Sequence, residues 1–158
     1  MIRVKSYNVH KNWDLTTQLL SSDLSGVLLL QEPPYKEHIR YAPSHTSALG
    51  EVVSGLPISN LWSLASFSRH AAIYVSKSLT ESFALSTYSL GSDVHSVELS
   101  HHVDNSFITI INTYLDHNTS TVEHVTDALM KARGTVLLAG DFNSHSIEWD
   151  PNRAFSEI

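Results

Sequence analysis

Residues 137–145 read Leu137-Leu138-Ala139-Gly140-Asp141-Phe142-Asn143-Ser144-His145, a short apolar run that stops on a carboxylate, an amide and an imidazole within five residues. The run predicts a buried strand over residues 135–139, with Gly140 freeing the backbone to turn at its end. Asp141, Asn143 and His145 then project from the sheet edge into one small volume, a grouping suited to metal-assisted or general-base hydrolysis. Alone, the same residues also suit an ordinary turn, because Asp and Asn side chains bond nearby backbone amides. Three further segments shift the balance toward a site.

At the chain start, Ile2-Arg3-Val4-Lys5-Ser6-Tyr7-Asn8 alternates with period two, so Ile2, Val4, Ser6 and Asn8 share a face. Asn8 thereby sits at the strand end on the side that Ile2 and Val4 commit to the core, where an amide needs partners. In Val27-Leu28-Leu29-Leu30-Gln31-Glu32-Pro33-Pro34, four apolar residues without alternation predict a strand covered on both faces, and the prolines end it directly after Glu32. A carboxylate at the mouth of a buried strand costs free energy unless it is paired, protonated or bound to a cation, so a hard divalent ion such as Mg2+ is a natural partner. In residues 106–116, Ile108, Ile110, Asn112 and Tyr114 share a face, and apolar contacts again give way to an amide and a phenol. Four strands that all finish in polar or acidic side chains fit one cleft better than four independent turns.

The ordered set resembles the endonuclease/exonuclease/phosphatase superfamily of metal-dependent phosphodiesterases. The first-strand asparagine of that superfamily falls on Asn8, its Gln-Glu pair on Gln31-Glu32, its active-site tyrosine on Tyr114, and its Gly-Asp-x-Asn on Gly140 to Asn143. Within it, the chain is most similar to endonuclease domains of non-LTR (LINE-type) retrotransposons, through Gln31-Glu32-Pro33, Ala71-Ala72-Ile73-Tyr74-Val75, and residues 140–145 followed by Trp149-Asp150. The Asn-x-Tyr element departs from that pattern, since Leu115-Asp116-His117 follows Tyr114 where a proline is usual.

The resemblance implies an α/β fold, a four-layer sandwich of two mainly antiparallel sheets flanked by helices, with the site at one end. It also implies a full domain of about 220–250 residues. Residues 1–158 would then be its amino-terminal portion of about two thirds, and the family's terminal Ser-Asp-His, absent from this chain, would lie beyond Ile158. By the same resemblance, Glu32 would hold Mg2+ or Mn2+, Asp141 would act as base or orient the attacking water, and Asn143 would position water and phosphate. Asn8 and Tyr114 would bond phosphate oxygens, while Asn112 and His145 would support these groups or touch substrate. The implied activity is nicking of one DNA strand to leave a 3′-hydroxyl, with a reverse transcriptase domain in the parent polypeptide and a nuclear location. The rivals are an inactive remnant of that domain and a phosphatase acting on lipid or small phosphoesters.

Composition fits one globular unit: 158 residues, 42% hydrophobic and 16% charged. With no cysteine, disulfides, thiolate zinc sites and a cysteine nucleophile are excluded. No apolar stretch approaches the roughly 20 residues needed to cross a bilayer, and no hydrophobic leader opens the chain, so an intracellular location without membrane contact is expected. The net charge of −6 opposes broad affinity for DNA, although a bound cation would neutralise an acidic cleft and meet the phosphate itself.

Between the strands, residues 14–22 predict a short helix with Leu15, Leu19 and Leu20 inward, and residues 121–133 a longer one. The second opens on the capping box Ser120-Thr121-Val122-Glu123, presents Val122, Val125, Leu129 and Met130 as its buried stripe, and ends at Gly134. Residues 35–68 read as a long connection with one short strand, and residues 83–99 as two strands around a Gly91-Ser92-Asp93 turn. The ten histidines are scattered without zinc-site spacing: His101-His102 reads as a solvated turn, and His10, His45, His70, His95, His117 and His124 have similarly bland readings without a role in a site.

Overall fold

The computed structural model describes residues 2–22, 25–35, 55–115 and 119–142. The unalternating run at residues 27–30 forms the middle of β2 (Gly26–Gln31), and every residue of that strand is buried. It can be covered on both faces because one face meets a second sheet and the other a helix. β2 pairs in parallel with β1 (Arg3–Asn8) and antiparallel with β4 (Ala71–Ser76), beyond which β3 (Trp62–Phe67) closes the order β1-β2-β4-β3. The second sheet runs β5-β6-β7-β8 through β5 (Phe83–Leu90), β6 (Val94–His101), β7 (Phe107–Tyr114) and β8 (Thr135–Asp141). Its β5–β6 and β6–β7 contacts are antiparallel and its β7–β8 contact is parallel.

Each sheet is therefore antiparallel except for one parallel pair at an edge, and a parallel pair needs a crossover. Helix α1 (Trp13–Leu20) makes the crossover from β1 to β2, and α2 (Thr119–Lys131) from β7 to β8. Val27, Leu29, Ile73, Val75, Val97, Leu99 and Ile110 interlock between the sheets. Leu28, Leu30 and Tyr74 face the other way, onto Leu20 of α1 and Leu56, while Val94 and Ile111 pack on Ala128 of α2. The result is the four-layer helix–sheet–sheet–helix sandwich. Burying one such Leu or Ile contributes about 1.5–3 kcal/mol, so the inter-sheet layer supplies the main force aligning the two sheets.

Several local expectations are corrected. Gly140 does not turn the chain: β8 continues through Asp141, and Gly140 pairs with Thr113 at φ +141°. A Cβ there would collide with the Thr113 carbonyl, so the glycine serves close approach between strands. Helix α2 begins at Thr119, which puts Ser120 inside it rather than at its cap. Its inward face is Thr121, Val125 and Ala128, whereas Val122, Leu129 and Met130 are exposed. Both stripes have helical spacing, and small Ala128 lets the helix approach β6 and β7 closely. In α1, Leu20 and Thr16 are buried and Leu15 is exposed, with Asn12 capping the helix by accepting from the Leu15 amide.

Candidate active site

The two parallel pairs converge at their carboxy-terminal ends. In the last rungs, Asn8 stands opposite Gln31 in one sheet and Tyr114 opposite Asp141 in the other. Stacking the sheets brings Asn8, Glu32, Tyr114 and Asp141 into one hydrogen-bonded group.

Asn8 is the hinge of that group. Its Nδ2 donates to Asp141 Oδ2 at 2.8 Å and to Glu32 Oε1 at 3.3 Å, while its Oδ1 accepts from the His10 amide at 2.9 Å. These bonds fix the amide orientation, with the nitrogen facing both carboxylates. Tyr114 donates its hydroxyl to the same Glu32 Oε1 at 3.0 Å. Glu32 is partly open to solvent, as a residue that meets a ligand must be.

The backbone around Glu32 is held in an unfavourable form. Glu32 has φ +50°, and His10 and Lys11 facing it have φ +48° and +59°. Among the described residues, only Asn105 is a further non-glycine with positive φ, so such geometry gathers at this cleft. The strained turn is pinned on both sides: the Glu32 amide donates to the His70 carbonyl at 2.9 Å, and its carbonyl accepts from Lys11 at 2.8 Å. Pro33 and Pro34, both buried, then lead the chain away.

Asn112 does not face the cleft. It is fully buried, accepts from Gln31 Nε2 at 2.7 Å, and donates across the sandwich to the carbonyls of Leu30 and Ala72 at 3.0 Å each. Gln31, which also donates to Ser6 at 3.1 Å, is held by it directly behind Glu32. Asn112 thus ties β7 to β2 and β4 and positions the site from within. Asn143 and His145 lie outside the described residues, as do Trp149 and Asp150.

Two histidines to which the sequence assigns no role border the cleft, His10 with its side chain largely exposed. His10 Nδ1 lies 3.8 Å from Glu32 Oε2, and the His70 ring lies against Tyr114 with centroids 5.5 Å apart. The sequence signal for His10 is its place two residues past Asn8; His70 has none, because it arrives on the β3–β4 turn. Behind His70, buried His95 spans Ser66 at 2.7 Å and Ser68 at 3.0 Å. Burial pushes its imidazole below the ordinary histidine range, against a partial upward pull from the Ser92 backbone and Asp93. At the adjoining β5–β6 turn, Asp93 accepts from His124 Nδ1 at 2.9 Å. Burial pushes the Asp93 carboxyl up, but the neighbouring Thr121 hydroxyl and His124 imidazole pull it further down, leaving it below the usual carboxylate range.

Two carboxylates bridged by one amide and faced by a phenol can hold a hard cation, orient a water and bond anionic oxygens. Among the described residues no three acidic or histidine groups cluster as a ready-made cage, so a cation here would use one or two carboxylates together with substrate oxygens.

No family model and no curated protein matches the chain. Among solved structures, the endonuclease domain of TRAS1, a telomere-specific non-LTR retrotransposon, aligns at TM-score 0.58 and 18% identity, over 94% of this chain and 63% of its own. TDP2 of D. rerio, complexed with single-strand DNA product, aligns at 0.52 and 15%, over 97% and 64%. The mannosyl-6-phosphatase Bt3783 of Bacteroides thetaiotaomicron VPI-5482 aligns at 0.52 and 14%, over 99% and 71%. All three are of the endonuclease/exonuclease/phosphatase superfamily, and this chain has that fold. It spans less than two thirds of the length of the first two.

Proposed function

We propose that the chain carries the site of a divalent-metal phosphodiesterase, a DNA endonuclease of the non-LTR retrotransposon kind that nicks one strand and leaves a 3′-hydroxyl. The observation that carries this reading is the meeting of Asn8, Glu32, Tyr114 and Asp141 through direct hydrogen bonds from four different strand ends. The likeness to the TRAS1 endonuclease domain supports a nucleic-acid substrate.

The donor set suits Mg2+ or Mn2+, since hard oxygens of one or two carboxylates plus phosphate oxygens are the usual ligands of such ions. Glu32 would hold the ion, which when bound neutralises phosphate charge and makes a coordinated water more acidic. Asp141, its oxygen fixed by Asn8, would orient the attacking water and take its proton. The water oxygen bonds to phosphorus as the bond to the 3′-oxygen breaks, giving a 5′-phosphate and, once that oxygen is protonated, a 3′-hydroxyl. Asn8 and Tyr114 each carry donors that can turn from the carboxylates to phosphate oxygens, and Asn143 and His145 would complete the group. Because the chain carries a net charge of −6, the cation also supplies the local positive charge that the composition lacks.

The mannosyl-6-phosphatase likeness favours a second reading, hydrolysis of small phosphomonoesters on the same site. A third reading is an inactive remnant of the domain. A plasmid-nicking assay with Mg2+ or Mn2+, run beside a sugar-phosphate panel, separates the three. It should compare the 158-residue chain with a form extended through the downstream coding sequence. We expect nicking by the extended form alone. Phosphate release without nicking would favour the phosphatase, and inactivity of both forms the remnant.

A further inference from the structure

The cleft continues past Tyr114. His70, whose ring lies against the Tyr114 ring, also lines a pocket of about 180 Å3 between the β5–β6 turn and the first turns of α2. Gly91, Ser92, Asp93, Thr121 and His124 line it too. Ser92 Oγ and His70 Nδ1 are 3.1 Å apart, and Asp93 is held by His124 at 2.9 Å, so the walls are fixed. The Thr121 hydroxyl is fully buried and leans on the Asp93 carboxylate, whose pKa it pulls down, but that contact falls short of full hydrogen-bond geometry. Buried hydroxyls rarely stay short of a full hydrogen bond, and this one borders the pocket. Gly91 keeps the space open: with φ +58°, it occupies a position where a Cβ would meet Asp93 Oδ1 at 2.7 Å and His124 Cε1 at 3.0 Å.

The chemistry of the walls selects the occupant. No Lys or Arg lines the pocket among the described residues, and Asp93 repels a phosphate, so an anion is unsuited. A carboxylate acceptor matches the exocyclic amine of cytosine, a hydroxyl serves either a donor or an acceptor, and an imidazole offers a stacking face for a base. The volume is below the roughly 300–1,000 Å3 of drug-sized pockets, which fits one ring system.

We propose that this pocket is a nucleobase subsite that takes an unstacked, amine-bearing pyrimidine from the nucleotide beside the scissile phosphate; the proposal rests on the phosphodiesterase reading above. Asp93 accepts from the exocyclic amine, Thr121 bonds the ring edge, and His70 packs on the ring face, joining base recognition to the Tyr114 side of the reacting phosphate.

The test titrates the 158-residue chain, with Mg2+, against deoxycytidine 5′-monophosphate, thymidine 5′-monophosphate and deoxyribose 5-phosphate. Calorimetry gives affinities, and the His70 and His124 imidazole resonances report where each probe binds. The cytosine nucleotide should bind at least tenfold more tightly than the other two, because thymine turns a carbonyl toward Asp93. Asp93→Asn and Thr121→Val should remove that preference and leave the deoxyribose 5-phosphate affinity unchanged, while Thr121→Ser keeps it. Equal binding of all three probes, or a preference that survives both variants, overturns the subsite. Nicking by the extended form alongside equal binding would discard the pocket alone, whereas neither nicking nor binding of any probe would discard the phosphodiesterase reading with it.

Discussion

Asn8 Nδ2 and Asp141 Oδ2, 133 residues apart in sequence, lie 2.8 Å apart where the two sheets meet. The same nitrogen reaches Glu32, so one neutral amide stands between two carboxylates and fixes the spacing of both. Its loss should leave the fold nearly intact, since Asn8 lies at the end of edge strand β1 and is only partly buried.

Replacing Asn8 with alanine should therefore lower the nicking kcat/KM of the extended form by about 100-fold or more, the scale of a lost catalytic positioning group. Thermal unfolding of the variant should change by only a few degrees. A variant that nicks at the parent rate would show that the bridge is structural only.

Metal response tests Glu32 separately. A cation bound only by the folded chain at ten times its Kd adds about 1.4 kcal/mol, or roughly 4 °C in Tm for a domain of this size. Mg2+ or Mn2+ should raise Tm by that order, because it also relieves repulsion between Glu32 and Asp141. Glu32→Gln should abolish the rise; an undiminished rise in that variant removes Glu32 from the ligand set.

The strand tips were legible in sequence because their signals are local. An apolar run that halts at Glu32 or Asp141 places a carboxylate at a strand end whatever the partner strands are, and alternation puts Asn8 and Tyr114 on inward faces. What stayed hidden depends on neighbours that sequence does not order. Asn112 shares a face with Tyr114, yet its partners are the backbone carbonyls of Leu30 and Ala72, which any residues would present. His70, Asp93 and His124 meet only because two turns and a helix start fall at one end of the sandwich. The rotation of α2 was only partly legible: of the expected stripe at 122/125/129/130, Val125 packs inward, but the helix turns so that Thr121 and small Ala128 complete its buried face and Val122, Leu129 and Met130 face out.

Buried His95 predicts a pH dependence. Its folded-state pKa lies below the ordinary value, so the unfolded chain takes up its proton first as pH falls. Stability should therefore be full above the ordinary imidazole range and decline on acidification through it, toward the lower folded-state pKa. Asp93 acts in a separate, more acidic window: its lowered pKa stabilises the fold above the usual carboxylate range, and that contribution fades below it. Urea unfolding from pH 7.5 to 5.5 should show falling stability in the parent chain and a shallower slope in His95→Gln. Parallel slopes would assign the dependence to other groups.

The last prediction concerns β8. It is the outermost strand of its sheet among the described residues; Val136 and Leu137 along it are 39% and 41% exposed, and Phe142 just past its end is 41% exposed. An edge with free backbone groups and apolar flanks is a template for pairing with another chain, and neither a charge nor a proline interrupts residues 135–140. Exposed Val122, Leu129 and Met130 on neighbouring α2 enlarge the apolar surface. The 158-residue chain should therefore self-associate as concentration rises, seen as increasing mass in size-exclusion chromatography with light scattering. Leu137→Lys, which places a charge on the edge, should return it toward a monomer, whereas Met130→Lys, on the helix, should have the smaller effect if strand pairing drives association. A parent chain that remains monomeric across the concentration series would show that this edge is already protected.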